Sequence, residues 1–488
     1  MMPGYIDSHN ENKFRNAYAI SLVLNDLEEF PVDIDCPNLQ LWRLEGSLGS
    51  VEFSGNFLNG LKELKVVLMH HVSIPSIPSS FLAVRKLLTL CLEHCKLGDL
   101  SQIKELKHLE ILSFIHSDIE RLPEEIGELS RLRLLDLTDC KNLSRIPFGV
   151  FSKLSNLECL YMLNSFVQWG FEGQNISQNQ ATLSEFRNLS RLNTLEMHVP
   201  DVNLFPKDVL FENLVRFRIF IGMDVSQVIS YSYPKTLRLA LHQGLSLHSG
   251  IYKLLKGAQH LILDYSIINY LEDLNSIVYD LRKGFRHLRC LEVYGYTGVE
   301  SLIDTNIFPV LEKLKVVSAA DLKMICYDHL PDQSFCELQE LMLSILPELT
   351  CLWMDPLGNV CLHNLRTLYV SDCHKLKDLL SQSTAKDLSQ LQKLYVSSCE
   401  DLNVVLYKDQ GVSSSQIVLS NLKSIKLEFL PNLRHFCPEA DASLASDDIQ
   451  ESLFNSKVAI SFLSYVANRG GLFGHFILMG QLWLLFLS

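Results

Sequence analysis

A short motif returns three times between residues 84 and 147, and it constrains the fold more than any other feature of the chain. Each copy reads L-x-x-L-x-[L/F]-x-x-[C/S], and the copies begin at Leu87, Leu109 and Leu132. The alternating apolar pair in each copy predicts a short strand, after which the Cys or Ser position turns the chain off the sheet. One copy cannot bury its apolar side alone, so neighbouring copies must stack on a shared core.

This spacing is the leucine-rich-repeat signature. It predicts an α/β solenoid, a horseshoe with a parallel concave β-sheet and short helical or irregular convex segments. The same frame is found at Ala17, Leu39, Leu61 and Leu157, so successive copies start about 22 to 26 residues apart, as expected for this repeat. Residues 119–129 are expected to cross the convex side with a helical turn after Pro123, because proline fits a first helical turn.

The repeat frame divides the chain into six parts. They are a lead-in at 1–16, N-terminal repeats at 17–222, degenerate repeats at 223–284, longer C-terminal repeats at 285–437, an acidic linker at 438–456 and an apolar tail at 457–488. A Gln/Asn/Ser-rich insertion at 165–188, which includes Trp169 and Phe171, is expected to be an exposed loop. In the degenerate part, Leu237 with Leu239 and Leu261 with Leu263 indicate two further units.

The end of the chain has a different composition. Residues 470–487 contain no Asp, Glu, Lys or Arg, and this is about the minimum length for a membrane-spanning helix. Two interpretations stay open: a tail anchor, and an artefact of the gene model in which non-coding sequence is translated. Four glycines, His475 and Gln481 weaken the anchor.

Composition and absent motifs exclude several functions. The net charge of -13 argues against nucleic acid as a partner. The 13 cysteines include no C-x-x-C pair, and Cys95, Cys140, Cys373 and Cys399 share one repeat position, which predicts buried turn residues rather than ligands. No signal peptide, phosphate-binding loop or nucleophile motif is present. A cytoplasmic, non-enzymatic protein without a cofactor is therefore expected.

A solenoid offers a binding surface instead of a reactive site. Variable positions between and after the strand leucines line the concave face, where such proteins bind partners. The tyrosines among them suggest an interface, since large amphipathic rings are favoured there. The predicted partner-binding residues are Ser113, Ile115, His116, Asp136, Thr138, Asp139, Tyr161, Leu163, Asn164, Tyr369, Ser371, Asp372, Tyr395, Ser397 and Ser398.

Several stretches of the sequence closely resemble one protein family, namely 87–99, 117–129, 134–140, 158–167 and 192–201. They are similar to the repeat half of plant intracellular disease-resistance receptors of the coiled-coil, nucleotide-binding, leucine-rich-repeat type. The resemblance covers about 17 to 459. It implies recognition of a pathogen effector or a guarded host protein and, in a full receptor, restraint of a nucleotide-binding switch domain. The family's Met-His-Asp element is missing, so no nucleotide role passes to any residue here.

Two other classes of protein also use a repeat array of this kind. A repeat-only adaptor or decoy, such as a substrate receptor of a ubiquitin ligase, would be marked by an F-box-like helical segment, for which residues 1–16 are too few. An extracellular receptor ectodomain would carry a signal peptide and recurrent Gly-x-Ile-Pro, and neither is present.

Overall fold

The computed structural model describes only part of the chain. The described residues are 15–24, 36–46, 58, 60–171, 180–206, 211, 213–222, 233–240, 249–264, 285–295, 300–303, 309–326, 335–353, 361–386, 388–407, 419, 421–436 and 459–463. The chain forms two compact units, one from Met1–Leu237 with Ser246–Leu254 and the other from Arg238–Leu245 with Leu255–Ser488.

The first unit is built around parallel strands that are one repeat apart. Its strands are β1 (Ala19–Leu24), β2 (Leu41–Gly46), β3 (Val66–His70), β4 (Ser73–Ser76), β5 (Thr89–Glu93), β6 (Lys96–Asp99), β7 (Ile111–Ser113), β8 (Leu134–Asp136), β9 (Cys159–Met162), β10 (Thr194–Val199) and β11 (Arg216–Ile221). In the main sheet β1, β2, β3, β5, β7, β8, β9, β10 and β11 pair in that order, all parallel. Strands β4 and β6 pair separately. The strand β12 (Lys235–Ala240) follows.

The second unit repeats the same arrangement. Its strands are β13 (His260–Asp264), β14 (Cys290–Tyr294), β15 (Ser301–Ile303), β16 (Lys313–Val317), β17 (Met324–Cys326), β18 (Glu340–Ser344), β19 (Thr367–Ser371), β20 (Asp378–Ser381), β21 (Lys393–Ser397), β22 (Val404–Tyr407), β23 (Ser424–Glu428) and β24 (Ala459–Leu463). Strands β13, β14, β16, β18, β19, β21, β23 and β24 form its main parallel sheet in that order. Two smaller parallel pairs join β15 to β17 and β20 to β22.

Short helices occupy the connections. The α-helices are Ser79–Ala83, Val150–Lys153, Ser249–Gly257 and Gln382–Lys386. The 3-10 helices are Ser101–Glu105, Glu124–Glu128, Leu183–Asn188 and Val202–Leu204. The helix at Glu124–Glu128 starts directly after Pro123, as predicted. The predicted α/β leucine-rich-repeat solenoid is confirmed by these parallel strands, which alternate with short helical or irregular segments.

The core consists of the motif leucines stacked from repeat to repeat. Leu112 and Leu135 are register partners on β7 and β8, and both are completely buried. The degenerate part follows the same rule, since Leu237 and Leu261 are buried on β12 and β13. In such a stack the apolar side of one repeat is buried only by the repeats beside it, so the stability of each repeat depends on its neighbours.

The insertion at 165–188 departs from the prediction of an exposed loop. Trp169 is buried, its ring centroid lies 5.0 Å from that of Phe166 and 5.8 Å from that of Phe186, and its indole Nε1 donates to the carbonyl of His198 at 3.1 Å. Phe166, Trp169 and Phe186 therefore build a small core of their own, and the exposed-loop prediction is wrong for them, whereas Phe171 is exposed. Residues 172–179 lie outside the described residues.

The start of the predicted apolar tail is also structured. The predicted division places residues 457–488 outside the repeats, yet β24 pairs in parallel with β23, and Ile460 is the register partner of Ile425. One more repeat strand therefore follows the acidic segment. The candidate anchor at 470–487 lies outside the described residues, and among the described ones no helix is long and apolar enough to cross a bilayer.

Candidate functional site

Three of the predicted surface residues share one row across the first unit. Register pairing places Ser113, Asp136 and Tyr161 side by side on β7, β8 and β9. Asp136 and Tyr161 are half-buried on the solvent side of the sheet, and burial raises the pKa of the Asp136 carboxyl and raises that of Tyr161 to about 12. Ser113 is buried, which corrects its prediction as a contact residue.

Backbone hydrogen bonds between neighbouring repeats continue past the ends of the strands at the next predicted positions, Ile115, Thr138 and Leu163. The Thr138 carbonyl accepts from the amide of His116 at 2.9 Å, and the Leu163 carbonyl accepts from that of Asp139 at 2.9 Å. Ile115 and Thr138 are half-buried, whereas Leu163 is buried and cannot meet a partner as predicted. These positions chiefly join one repeat to the next.

A row of left-handed residues runs beside this surface. His71, His94, His116, Asp139 and Asn164 have φ angles of 56°, 53°, 56°, 57° and 53°. Left-handed backbone favours Asn, Asp and His among residues with a side chain, so the residue types here follow from the turn. We call these five residues the left-handed row.

Side chains of the left-handed row touch along its length. The ring centroids of His71 and His94 lie 4.8 Å apart, and those of His94 and His116 lie 4.5 Å apart, both pairs stacked. Asn164 Nδ2 donates to Asp139 Oδ1 at 3.2 Å, and His116 Nδ1 lies 3.7 Å from Asp139 Oδ2. Sequence reasoning identified the last three residues as surface positions but missed that the two earlier histidines belong to the same row.

The second unit brings the two predicted tyrosines together. Tyr369 and Tyr395 are register partners on β19 and β21, with ring centroids 4.4 Å apart and planes 1° from parallel. Lys426, the next residue in register, places its Nζ 4.9 Å from the Tyr395 ring centroid, and Met342 precedes the pair on β18. Met342, Tyr369, Tyr395 and Lys426 are called the tyrosine row below.

Contacts with Glu428 hold the Tyr395 and Lys426 end of the tyrosine row in place. Glu428 is buried, and its Oε2 accepts from the Tyr395 hydroxyl at 3.3 Å and lies 2.8 Å from Lys426 Nζ. The hydrogen bond from Lys426 to Glu428 raises the pKa of the lysine. Sequence reasoning found the tyrosines but missed Lys426 and Glu428. One repeat later, Lys426 occupies the frame position of Tyr395, and Glu428 occupies that of Ser397.

The serines at the ends of these strands are not on the surface. Ser371 and Ser397 are 2% and 6% exposed, which corrects their prediction as contact residues. The Ser371 hydroxyl lies 2.7 Å from that of Ser344 on the neighbouring strand. Asp372 and Ser398 follow them with φ angles of 54° and 52° and are half-buried. Of the predicted residues here, the tyrosines, Asp372 and Ser398 are therefore reachable.

One polar pair on the first unit was also missed. Glu196 is the register partner of Tyr161 on one side and of Arg218 on the other, and its Oε2 lies 3.3 Å from Arg218 Nη1. Burial raises the pKa of the Glu196 carboxyl in spite of that arginine. The frame that starts at Leu192 would have placed Glu196 on the sheet face, since it stands between the inward residues Leu195 and Met197.

Among the described residues, two groups of side chains come close enough to share a metal ion. They are Cys336 with Cys361 and His363, and His260 with Cys290 and Glu292. In the second group His260 Nε2 lies 2.9 Å from Glu292 Oε1. Burial alone would raise the pKa of Glu292, but hydrogen bonds from His260 and Tyr294 lower it on balance.

Comparison with known proteins shows similarity to the repeats of plant disease-resistance proteins. Residues 263–400 match the family model described as plant disease resistance protein RPS2-like, leucine-rich repeats. Two Arabidopsis thaliana relatives are a disease resistance protein, 27% identical over 86% of this chain and 41% of that protein, and a probable disease resistance protein, 29% identical over 89% of this chain and 45% of that protein. The chain thus spans less than half the length of either relative.

A solved leucine-rich-repeat protein from Leptospira interrogans covers 93% of this chain and 97% of its own, with 16% sequence identity and a TM-score of 0.45. The resemblance of the sequence to the repeat region of plant disease-resistance proteins is confirmed by the family match and the two plant relatives.

Proposed function

We propose that these repeats are the leucine-rich-repeat region of a plant disease-resistance protein and that they recognise another protein through the solvent side of their parallel sheets. The partner is a pathogen effector or a host protein that such an effector modifies. Recognition takes place in the cytoplasm and involves no catalysis. The plant relatives support a role in plant defence, and the partner and the binding surface are likewise part of the proposal.

The observation that carries the proposal is the tyrosine row. Tyr369 and Tyr395 present two large amphipathic rings that are already fixed in a parallel stack, with Lys426 beside them. Binding hot spots are enriched in tyrosine, and a side chain that is fixed beforehand loses less entropy on association. A rigid aromatic strip of this kind, beside the ion pair of Lys426 and Glu428, suits a protein surface with apolar groups.

In a longer receptor the same repeats would restrain a nucleotide-binding switch domain. A partner shifts a two-state equilibrium only by binding one state more tightly than the other. The match covers 41% and 45% of the two plant relatives, which leaves room in them for such a domain. Recognition at the sheet would then release the switch because partner and switch domain compete for contacts with the repeats.

A binding screen followed by calorimetry tests the proposal. The chain is expressed in leaf cells and paired by split luciferase with secreted pathogen proteins and with host proteins, and each positive pair is measured with purified components. Tyr369→Ala with Tyr395→Ala is expected to raise the Kd at least about tenfold, or 1.4 kcal/mol. Tyr18→Ala serves as the matched control, since Tyr18 is 65% exposed and lies in the other unit. Equal affinity of the double variant and the control would remove the tyrosine row from the site.

The adaptor hypothesis predicts a different result in the same cells. A substrate receptor of a ubiquitin ligase would co-purify with ligase subunits and shorten the lifetime of its bound partner. A sensor would bind the partner without changing its lifetime. A chase of partner abundance with and without the chain separates the two.

A further inference from the structure

Two neighbouring repeats bring two thiols and an imidazole together on the second unit. The ligand atoms of Cys336, Cys361 and His363 all lie within 4.8 Å of one another, and Cys361 Sγ is 2.6 Å from His363 Nδ1. The two cysteines are half-buried and the histidine is exposed, so solvent reaches the group. Cys336 precedes β18, and the other two precede β19, one repeat later.

Buried side chains fix the backbone that carries these donors. Cys336 lies between Phe335 and Leu338, both buried, and the Leu338 amide donates to the Phe335 carbonyl at 2.9 Å. On the next repeat the Leu365 amide donates to the Leu362 carbonyl at 2.9 Å, and both of these leucines are completely buried. The turns that carry the donors are therefore held by the core.

A direct bond also ties the two turns to each other. Asn364 Nδ2 donates to the Cys336 carbonyl at 2.8 Å, across the boundary between the repeats. The distance between Cys336 and the pair Cys361 and His363 is thus set by the stacking of the repeats. A preformed donor set lowers the conformational cost of binding an ion.

We propose that Cys336, Cys361 and His363 form a binding site for Zn²⁺ or a chemically similar divalent ion. Thiolate sulfur and imidazole nitrogen are the donors that Zn²⁺ prefers, and three protein ligands leave the fourth tetrahedral position to water or to a donor from a partner. Zinc bond lengths place a sulfur and a nitrogen ligand about 3.5 Å apart. Binding therefore moves Cys361 Sγ and His363 Nδ1 apart by about 1 Å, which the exposed imidazole can do by rotating.

The other close group fits an ion less well. Glu292 already accepts hydrogen bonds from His260 and Tyr294, and Lys315 Nζ lies 3.7 Å from its second oxygen. An incoming cation there would have to break these contacts and would meet a lysine. The group at Cys336 instead offers two half-buried thiols and an exposed imidazole.

A bound ion would cross-link the turn before β18 to the turn before β19. Those strands carry Met342 and Tyr369, so the ion would stiffen the support of the tyrosine row. The site does not depend on the proposed function, because metal binding is measured without any partner.

The test uses the purified full chain, reduced and stripped of metal by a chelator. Zn²⁺ is added, its affinity is measured by competition with a chromogenic chelator, and Co²⁺ is used as a spectroscopic probe. One high-affinity Zn²⁺ per chain and a thiolate-to-cobalt charge-transfer band are expected. Cys336→Ser, Cys361→Ser and His363→Asn should each weaken binding by at least the 10- to 100-fold that loss of an outer-shell partner costs.

Matched controls come from the same unit. Cys351→Ser removes a half-buried thiol outside the group, and His374→Asn removes an exposed imidazole. Both controls should bind Zn²⁺ and Co²⁺ as the unaltered chain does. Binding should also release protons and weaken as the pH falls, because thiols must ionise to ligate. Absence of the charge-transfer band, or equal loss of affinity in controls and site variants, would overturn the proposal.

Discussion

The imidazole rings of His94 and His116 stack with their centroids 4.5 Å apart and their planes 12° from parallel. The two residues stand at the same left-handed turn of consecutive repeats, and His71 continues the stack on the preceding repeat. The turn sets the backbone conformation, and the repeat spacing brings the rings into contact. Three groups that can each take up a proton are thereby held side by side.

Acid should weaken the first unit through this stack. Burial, and then the charges of His116 and His71, lower the pKa of His94, while Glu93 opposes them. The pKa of His94 is lower in the folded chain than in the unfolded chain, so the unfolded chain takes up the proton first as the pH falls below about 6.5. The stability that the fold has above that pH is then lost. The urea midpoint of the first unit is expected to fall between pH 7.5 and 5.5.

His94→Asn provides the comparison, since asparagine tolerates the left-handed turn. The variant should show a shallower fall of the urea midpoint over the same pH interval. An unchanged slope would mean that the pH dependence arises elsewhere in the unit.

The hydroxyl of Ser117 offers a test of the assigned repeat frame. Its Oγ accepts from the Cys95 amide at 2.9 Å and donates to the Leu92 carbonyl at 2.6 Å, and it occupies the position that Cys140 fills one repeat later. Cys140 Sγ donates to the Phe114 carbonyl at 3.0 Å in the equivalent place. Ser117→Ala should cost about 1 to 3 kcal/mol, because a buried amide loses its acceptor.

The conservative change at the same position separates polarity from size. Ser117→Cys should cost less than Ser117→Ala, because neighbouring repeats already fit a thiol there. Chemical unfolding of the two variants measures the difference. A larger loss for the cysteine variant would contradict the equivalence of the repeats.

Repeat periodicity predicted most of the fold because it reports the positions that must face inward. The motif leucines and the turn cysteines were placed correctly, since their burial follows from the spacing alone. Ser371 and Ser397 were misplaced because strand alternation holds only until the chain turns, and the neighbouring strand then covers the last side chain. Trp169 was misplaced because a polar insertion gives no period from which aromatic packing could be derived.

Contacts between repeats were harder to predict than positions within one. Register pairing put Tyr369 beside Tyr395, as their shared frame position indicated. Cys336 and His363 stand on different repeats and outside the motif, so their approach depends on the path of both turns. Sequence spacing carries no information on that path, which explains why this cluster of side chains was not anticipated.

A charge in the core should unfold the repeats around it. Leu112 and Leu135 are register partners without exposed surface, so Leu112→Asp or Leu135→Asp buries a carboxylate that has no partner. The expected loss is about 3 to 5 kcal/mol, similar to that for breaking a buried ion pair. Arg131→Asp, at an exposed position between them in sequence, is the control and should stay within about 0.5 kcal/mol of the unaltered chain. A soluble Leu112→Asp variant with unchanged melting would refute the assigned frame.

Glu185 links the described end of the insertion to the preceding repeat. The carboxylate is buried and accepts from the amides of Thr182 at 3.2 Å, Phe151 at 3.1 Å and Ser152 at 3.3 Å. Glu185→Ala should cost about 1 to 3 kcal/mol, since buried amides lose their acceptor. Glu185→Gln keeps one acceptor oxygen and should cost less.

The pH dependence of that cost has a definite sign. Burial raises the pKa of Glu185, so the folded chain holds the proton more tightly than the unfolded chain. As the pH rises above the ordinary pKa of a glutamate, near 4.5, the carboxyl therefore lowers the free energy of unfolding. The difference in urea midpoint between the unaltered chain and Glu185→Gln should therefore be larger at pH 5 than at pH 7. A difference that grows with pH would show that the hydrogen bonds outweigh burial.

The tyrosine stack should contribute to stability as well as to binding. Because the rings of Tyr369 and Tyr395 are in parallel contact, a double-mutant cycle with alanine should give a coupling energy of about 0.5 to 1.5 kcal/mol. Tyr18 and Tyr395 lie in different units, so the cycle Tyr18→Ala with Tyr395→Ala should give no coupling beyond about 0.5 kcal/mol. Urea unfolding of each single and double variant supplies the energies. Zero coupling between Tyr369 and Tyr395 would mean that the rings do not stack in solution, and the rigid strip proposed for recognition would then lose its physical basis.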